Sequence, residues 1–210
     1  MKLIIFGATG TVGKHVVNQA LEQGYDVTAF CRDKRKLSDV KNKKLQYFEG
    51  DVFNKKDVSE AIKGKEAVII VLGSGKSRKS SVRSFGTKNI IEAMEKNNVK
   101  RLICQSTLGT GESNNNLNFF WKYIMFGWFL KQVFLDHELQ EKYVRASSLD
   151  WTIVKPSAFT DGEKTEEYLH GFPSSLKSLK LKISRADVAD FILKQLRTNM
   201  YMLKSPGVSH

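Results

Sequence analysis

At 210 residues, 41% of them hydrophobic, the chain can bury a core of its own and is expected to form one domain over residues 1–210. Lys and Arg outnumber Asp and Glu by 34 to 22, a formal charge of +12. The cations fall into short, separate groups (Lys34-Arg35-Lys36, Lys43-Lys44, Lys55-Lys56, Lys76 with Arg78 and Lys79, Lys177 through Arg185) with no aromatic residues interleaved, so no nucleic-acid partner is expected and the surface is read as solvated and favourable to anionic small molecules.

The first predicted element is the apolar strand Leu3-Ile4-Ile5-Phe6, placed so early that no signal peptide is expected before it. It runs into Gly7-Ala8-Thr9-Gly10-Thr11-Val12-Gly13 and then into a helical pattern carried by Val16, Val17, Ala20 and Leu21. Strand, spaced glycines and helix in that order make a phosphate-binding turn. One glycine permits the tight turn, one lets backbone approach a pyrophosphate, and one lets the helix pack on its strand. Free N–H groups at the helix N-terminus then face the phosphates, which makes Gly7, Thr9, Gly10, Thr11 and Val12 candidate cofactor contacts.

Further strand-like runs follow at Val27 to Cys31, Leu45 to Phe48, Ala67 to Leu72, Arg101 to Gln105 and Trp151 to Val154, with helical patterns between them. This alternation predicts a doubly wound α/β fold of Rossmann type, a parallel sheet with helices on both faces. The second strand ends on Arg32, where a carboxylate selecting NAD would otherwise stand. Arg32, with Arg35 and other cations behind it, suits the 2′-phosphate of NADP(H). The alternatives are a basic loop that touches nothing, or Asp33 reaching the ribose of NAD(H). After the third strand, Asp51 and Val52 are placed beside an adenine, and Leu72, Gly73 and Ser74 beneath the cofactor. Gly75-Lys76-Ser77 imitates the end of a nucleotide-triphosphate loop, but Ile70 stands where that motif needs glycine.

One helical face carries Val82, Phe85, Ile90, Ile91 and Met94. A last helix is capped by Ser184 and Asp187 and buries Val188, Phe191, Ile192 and Leu196. Residues 114–135 break the rhythm with Phe119-Phe120-Trp121-Lys122-Tyr123-Ile124-Met125-Phe126-Gly127-Trp128-Phe129-Leu130, too short an apolar stretch to span a membrane. The segment is read as a flap that builds an apolar pocket at the nicotinamide end, with Trp121 and Trp128 in its lining. A helix packed on the sheet and a helix lying on a membrane surface are the alternatives. Cys31 and Cys104 sit in apolar runs without metal or redox spacing, which indicates a reduced, cytoplasmic protein, and the histidines show no metal-binding pattern.

On Phe6-Gly7-Ala8-Thr9-Gly10, Arg32-Asp33, Gly50-Asp51-Val52, Leu72-Gly73, Asp136-His137 and the stretch Ser147 to Pro156, the chain resembles the atypical short-chain dehydrogenases/reductases. Within them it is similar to the flavin reductase/biliverdin-IXβ reductase group and related bacterial NAD(P)H-binding proteins. The resemblance implies an oxidoreductase that passes hydride from NADPH to flavin or a similar planar conjugated acceptor, acting as a monomer. It equally accommodates a redox sensor of the nitrogen-metabolite-repression type, which binds NAD(P) without turning it over. It implies that Ser106 orients cofactor or substrate, and that Pro156 and Ser157 touch the nicotinamide side. The Tyr-x-x-x-Lys pair of conventional members is missing: Ser147 follows Tyr143 by four residues, and Gly127 follows Tyr123. A conjugated acceptor can collect its proton from solvent, so this loss is tolerable. Ala158 stands where the tetrapyrrole reductases carry histidine, and His137 matches a histidine of the group but is read here as a helix-surface residue.

Overall fold

The computed structural model describes residues 1–75, 77 and 80–210; Lys76, Arg78 and Lys79, and with them parts of one basic group and of the Gly75-Lys76-Ser77 stretch, lie outside the described residues. The strands are β1 (Lys2–Phe6), β2 (Asp26–Cys31), β3 (Leu45–Glu49), β4 (Ala67–Ile70), β5 (Arg101–Gln105), β6 (Asp150–Pro156), β7 (Ala158–Thr160), β8 (Leu169–His170), β9 (Lys182–Ser184) and β10 (Gly207–Ser209). Eight of them form one sheet in the order β3-β2-β1-β4-β5-β6-β10-β8, parallel except for the antiparallel β10–β8 pair. β7 and β9 pair separately and in parallel.

Because side chains alternate across a strand, Leu3 and Ile5 of β1 enter one face of the sheet while Ile4 and Phe6 enter the other. All four are fully buried, which is why β1 reads as a continuous apolar run rather than an alternating one. On the first face lie α1 (Thr11–Glu22) and α5 (Arg185–Lys194), represented in the core by Val16, Val17, Phe191 and Ile192. On the second lie α2 (Lys55–Ile62), α3 (Val82–Lys96) and α4 (Lys131–Arg145), through Ile62, Ile90, Met94 and Val144. This is the doubly wound α/β arrangement that the alternating pattern predicts.

The chain runs outward from β1 through β2 to β3, then returns to the other side of β1 for β4. The carboxyl ends of β1 and β4 therefore diverge, and their loops leave a crevice above the sheet. β4 stops at Ile70, two residues short of the expected run. Val71 still donates its N–H to the Phe6 carbonyl at 2.9 Å, but the chain then swings away through Gly73 over that crevice.

At the C-terminal helix, Ser184 Oγ accepts from the Asp187 N–H at 2.9 Å, as a cap should. The Asp187 carboxylate also accepts from the N–H groups of Thr165 and Glu166 at 2.8 and 2.9 Å, so it pins the loop before β8. Between β5 and α4 the chain forms a 3₁₀ turn (Gly111–Asn116) and a π-helix (Phe120–Phe129). No helix among the described residues is long and apolar enough to cross a membrane.

Candidate functional site

The crevice is a cleft of about 870 Å³ that runs from the end of β2, over the glycine turn, to the π-helix. Its floor is set by two glycines. Gly7 has φ +89°, and a Cβ there would lie 2.4 Å from the Val71 carbonyl oxygen; a Cβ on Gly13 would lie 2.1 Å from the Gly7 oxygen. These positions close the turn and seat α1 on β1. A Cβ on Gly10 meets the Gly7 oxygen at 3.1 Å, and Gly10 lines the cleft, so it is the position that keeps space open there. No side chain caps α1 and no acidic residue occupies its first turn, so its N-terminal N–H groups and positive dipole end are free to meet an anion.

At the β2 end the two arginines separate. Arg35 donates Nε to Asp33 Oδ1 at 2.8 Å and a terminal nitrogen to Oδ2 at 3.0 Å, a bidentate pair turned to solvent. Hydrogen bonding to Arg35 holds the Asp33 carboxyl below its ordinary range. Neither Arg35 nor Asp33 lines the cleft, and both carboxylate oxygens of Asp33 accept from Arg35. Arg32 does line the cleft, joined there by Lys36, and neither makes an ion pair among the described residues. Asp51 and Val52 line the same end, together with Phe53, which sequence reading passed over. The Asp51 Oδ1 accepts from the Phe53 N–H at 3.0 Å.

In the middle of the cleft stand Leu72, Gly73 and Ser74. Ser74 Oγ accepts from Arg83 at 3.2 Å, and Arg83, nearly buried, is 3.7 Å from Asp136. The Asp136 carboxylate also accepts from the Ser84 N–H and hydroxyl at 3.1 and 2.5 Å, which locks α4 to the start of α3. Burial lowers the pKa of Arg83, and Asp136 opposes the shift.

Ser106 follows β5 and is buried at the cleft wall. Its hydroxyl donates to Glu141 Oε1 at 2.7 Å. The same oxygen accepts from the Thr110 hydroxyl, while Oε2 pairs with Lys155 at 3.0 Å and Arg145 at 3.2 Å. Lys155 also donates to the Thr110 carbonyl at 2.8 Å; burial pushes its pKa down and Glu141 opposes the shift. With its proton directed to a carboxylate, Ser106 offers lone pairs for a donor in the cleft.

His137 corrects the helix-surface reading. It is only 6% exposed and lines the cleft. Gln140 donates its amide N–H to Thr87 Oγ1 at 3.0 Å, which turns its oxygen to His137 Nδ1 at 3.2 Å. In that network Nδ1 carries the proton and Nε2 is the free acceptor. Burial first, and the Arg83 cation second, push the imidazole down to about 3, so it is neutral at ordinary pH.

Ser157 lines the cleft, whereas Pro156 does not: its carbonyl accepts from the Leu108 N–H at 2.8 Å, within the sheet-end framework. The far end of the cleft is apolar, walled by Leu117, Trp121, Phe126, Val133, Phe134 and Leu181. Trp128 is not among these residues. It is 75% exposed on the outer side of the π-helix, which corrects the expected pairing of both tryptophans in one pocket. No tyrosine lines the cleft among the described residues; Tyr123 faces solvent and Tyr143 packs against the core.

Of the five buried side-chain polar atoms without a partner among the described residues, three belong to cleft residues: Gln105 Oε1, Ser157 Oγ and Arg185 Nε. Buried polar atoms are normally satisfied, so these three, in the same cleft as the uncapped N-terminus of α1, fit a polar ligand with an anionic half. The predicted strands identify the framework of this site; Arg83 and Glu141 were missed because their partners Asp136 and Ser106 lie far away in sequence, and Gln105 and Arg185 because nothing local marks them as cleft residues.

Residues 7–199 match the NAD(P)H-binding family. Photosystem II assembly factor Ycf39 of Synechocystis sp. is 25% identical over 166 residues, 77% of this chain and 46% of that protein, so the chain spans about half the length of this curated relative. The fold is shared with ChuY, an anaerobillin reductase of Escherichia coli O157:H7 (TM-score 0.83, 22% identity, 100% of this chain and 97% of that one). It is also shared with a short-chain dehydrogenase/reductase of Veillonella parvula solved in complex with NADP (TM-score 0.84, 18% identity, 100% and 94%). The match extends from the glycine turn to beyond α5, and the chain belongs to the NAD(P)H-binding family.

Proposed function

We propose that this protein is an NADPH-dependent reductase that passes hydride to flavin or a similar planar conjugated acceptor. The observation that carries the reading is the chemistry of the apolar end of the cleft. It has room for a flat ring but no tyrosine among the described residues; its histidine is held neutral, and the proton of Ser106 is committed to Glu141. A ketone or alcohol substrate needs a positioned acid for its oxygen. A conjugated ring system accepts hydride without one and collects its proton from water. The anaerobillin reductase activity of ChuY supports an extended conjugated acceptor of this kind.

In this reading the α1 N-terminus and Gly10 receive the pyrophosphate, Asp51 and Val52 border the adenine, and Arg32 with Lys36 meets the 2′-phosphate that distinguishes NADPH from NADH. Gln105 and Ser157 supply polar atoms for the carboxamide of the nicotinamide, and Ser106 and His137 Nε2 accept from donors on the cofactor or acceptor. Bound cofactor supplies the hydride; the protein excludes water and fixes the two rings against each other.

The test is to follow NADPH and NADH absorbance with purified protein and FMN, FAD, a linear tetrapyrrole and a quinone panel. Faster oxidation with NADPH and one conjugated acceptor is expected. Tight NADP(H) binding with no turnover of any acceptor would replace the reductase reading with that of a non-catalytic redox sensor.

A further inference from the structure

The π-helix has two faces, and only one of them belongs to the cleft. Trp121 and Phe126 turn inward, while Phe119, Phe120, Tyr123, Ile124, Trp128 and Phe129 are left exposed, Phe119 and Trp128 at 71% and 75%. A contiguous aromatic surface of this kind on a water-soluble face marks a binding surface.

Its charge identifies the occupant. Between Glu112 and Asp136 the only charged residues are Lys122 and Lys131. Asp136 is buried and engaged by Ser84 and Arg83, so it contributes no exposed negative charge. Glu112 and Glu138, the flanking carboxylates in sequence, line a second cleft beside α4. A second copy bound through a two-fold axis would bring two patches of the same positive sign together, which is unfavourable. An anionic surface has no such conflict, and aromatic side chains with lysines beside them suit the boundary between headgroups and acyl chains.

We infer that the outer face of the 119–129 segment docks the protein on anionic lipid bilayers, with Trp128 and Phe119 inserted at the interface and Lys122 and Lys131 facing the headgroups. This claim concerns binding alone and stands whether or not the reductase reading holds.

The experiment is sedimentation of the full chain with vesicles of phosphatidylcholine alone and of phosphatidylcholine mixed equally with phosphatidylglycerol, at low and high salt. Binding is expected to the mixed vesicles only, weakened by salt, with a blue shift of Trp128 emission measured against a Trp128→Phe control. Lys131→Glu should lower the partition coefficient at least about fivefold, the usual effect of one cation near a charged membrane surface. Phe119→Ser with Trp128→Ser should abolish binding while NADPH affinity, read on the same preparation, stays unchanged and shows that the fold is intact. Equal partitioning onto neutral vesicles, no partitioning, or a concentration-dependent dimer lost in the double variant would each overturn the proposal.

Discussion

The Ser106 hydroxyl and the Glu141 carboxylate, 2.7 Å apart, link the candidate hydride-transfer end of the cleft to the polar second cleft beside α4, since Ser106 lines the first and Glu141 the second. Glu141 is itself held by Lys155 and Arg145. The arrangement makes Ser106 an acceptor toward the cleft and separates its role from that of an acid. Ser106→Ala should lower turnover by about tenfold or less, the worth of one hydrogen bond, and leave the pH profile of kcat unchanged. A loss of about a hundredfold or more with an altered profile would identify proton donation instead.

The same network predicts a stability effect. Lys155 and Glu141 are almost wholly buried, so removing one charge strands the other. Lys155→Met should destabilise the fold by roughly 3 kcal/mol in urea unfolding, whereas truncating Arg145, nearly half exposed, should cost far less. Comparable losses for both variants would mean that Glu141 is satisfied without Lys155.

Cofactor choice separates the two arginines of the β2 loop. Arg32→Ala should weaken NADP(H) by ~1–3 kcal/mol and leave NAD(H) nearly unaffected, as expected for loss of a charge-assisted bond to phosphate. Arg35→Ala should change neither, because Arg35 is bound to Asp33 outside the cleft. Titration of each variant with both nucleotides checks the pair; equal weakening by the two substitutions contradicts the assignment. Sequence alone could not separate them, since Asp33 stands between and can pair with either neighbour.

That example shows where the sequence is legible. The glycine turn is readable because its mechanics are local: strand, tight turn and helix follow one another without a break over residues 2–22, and the steric demands at Gly7 and Gly13 follow from that spacing. Arg83 and Glu141 are not readable in the same way. Each sits in a helix, where a charged residue ordinarily means solvent, and their partners Asp136 and Ser106 lie 53 and 35 residues distant. His137 was misplaced for the same reason, because only the packing of α4 against α3 reveals that its face of α4 is covered. The short strands β8 and β10 carry too few residues for a period of two to show.

His137 gives stability a defined pH dependence. Its folded value, about 3, lies below the ordinary imidazole value of 6.5, so the unfolded chain takes up this proton first as the solution is acidified. The neutral imidazole is therefore without penalty above pH 6.5, and stability is lost as pH falls from there toward 3. Substituting His137 with Gln should flatten the decline in unfolding free energy across that window. An unchanged slope in urea titrations of the two proteins would show that His137 is protonated in the folded state.

The last prediction uses the split between the tryptophans. Trp121 lines the apolar end of the cleft and packs against Phe126 with ring centroids 5.8 Å apart, while Trp128 is exposed on the opposite side of the same helix. If the conjugated acceptor occupies that end, it stacks within reach of Trp121 and not of Trp128. Saturating FMN or tetrapyrrole with NADP⁺ present should quench the emission of a variant retaining only Trp121, and leave a variant retaining only Trp128 unchanged. Trp151, a core residue of β6, is replaced by Phe in both variants so that its signal does not mask the comparison. Trp121→Ala should then raise the acceptor KM with little change in the NADPH KM, because the cofactor half of the cleft is built by β1, β2 and β4. Quenching confined to Trp128 would place the acceptor outside the cleft, on the outer face of the π-helix, and remove the reason for reading its inner face as the acceptor site.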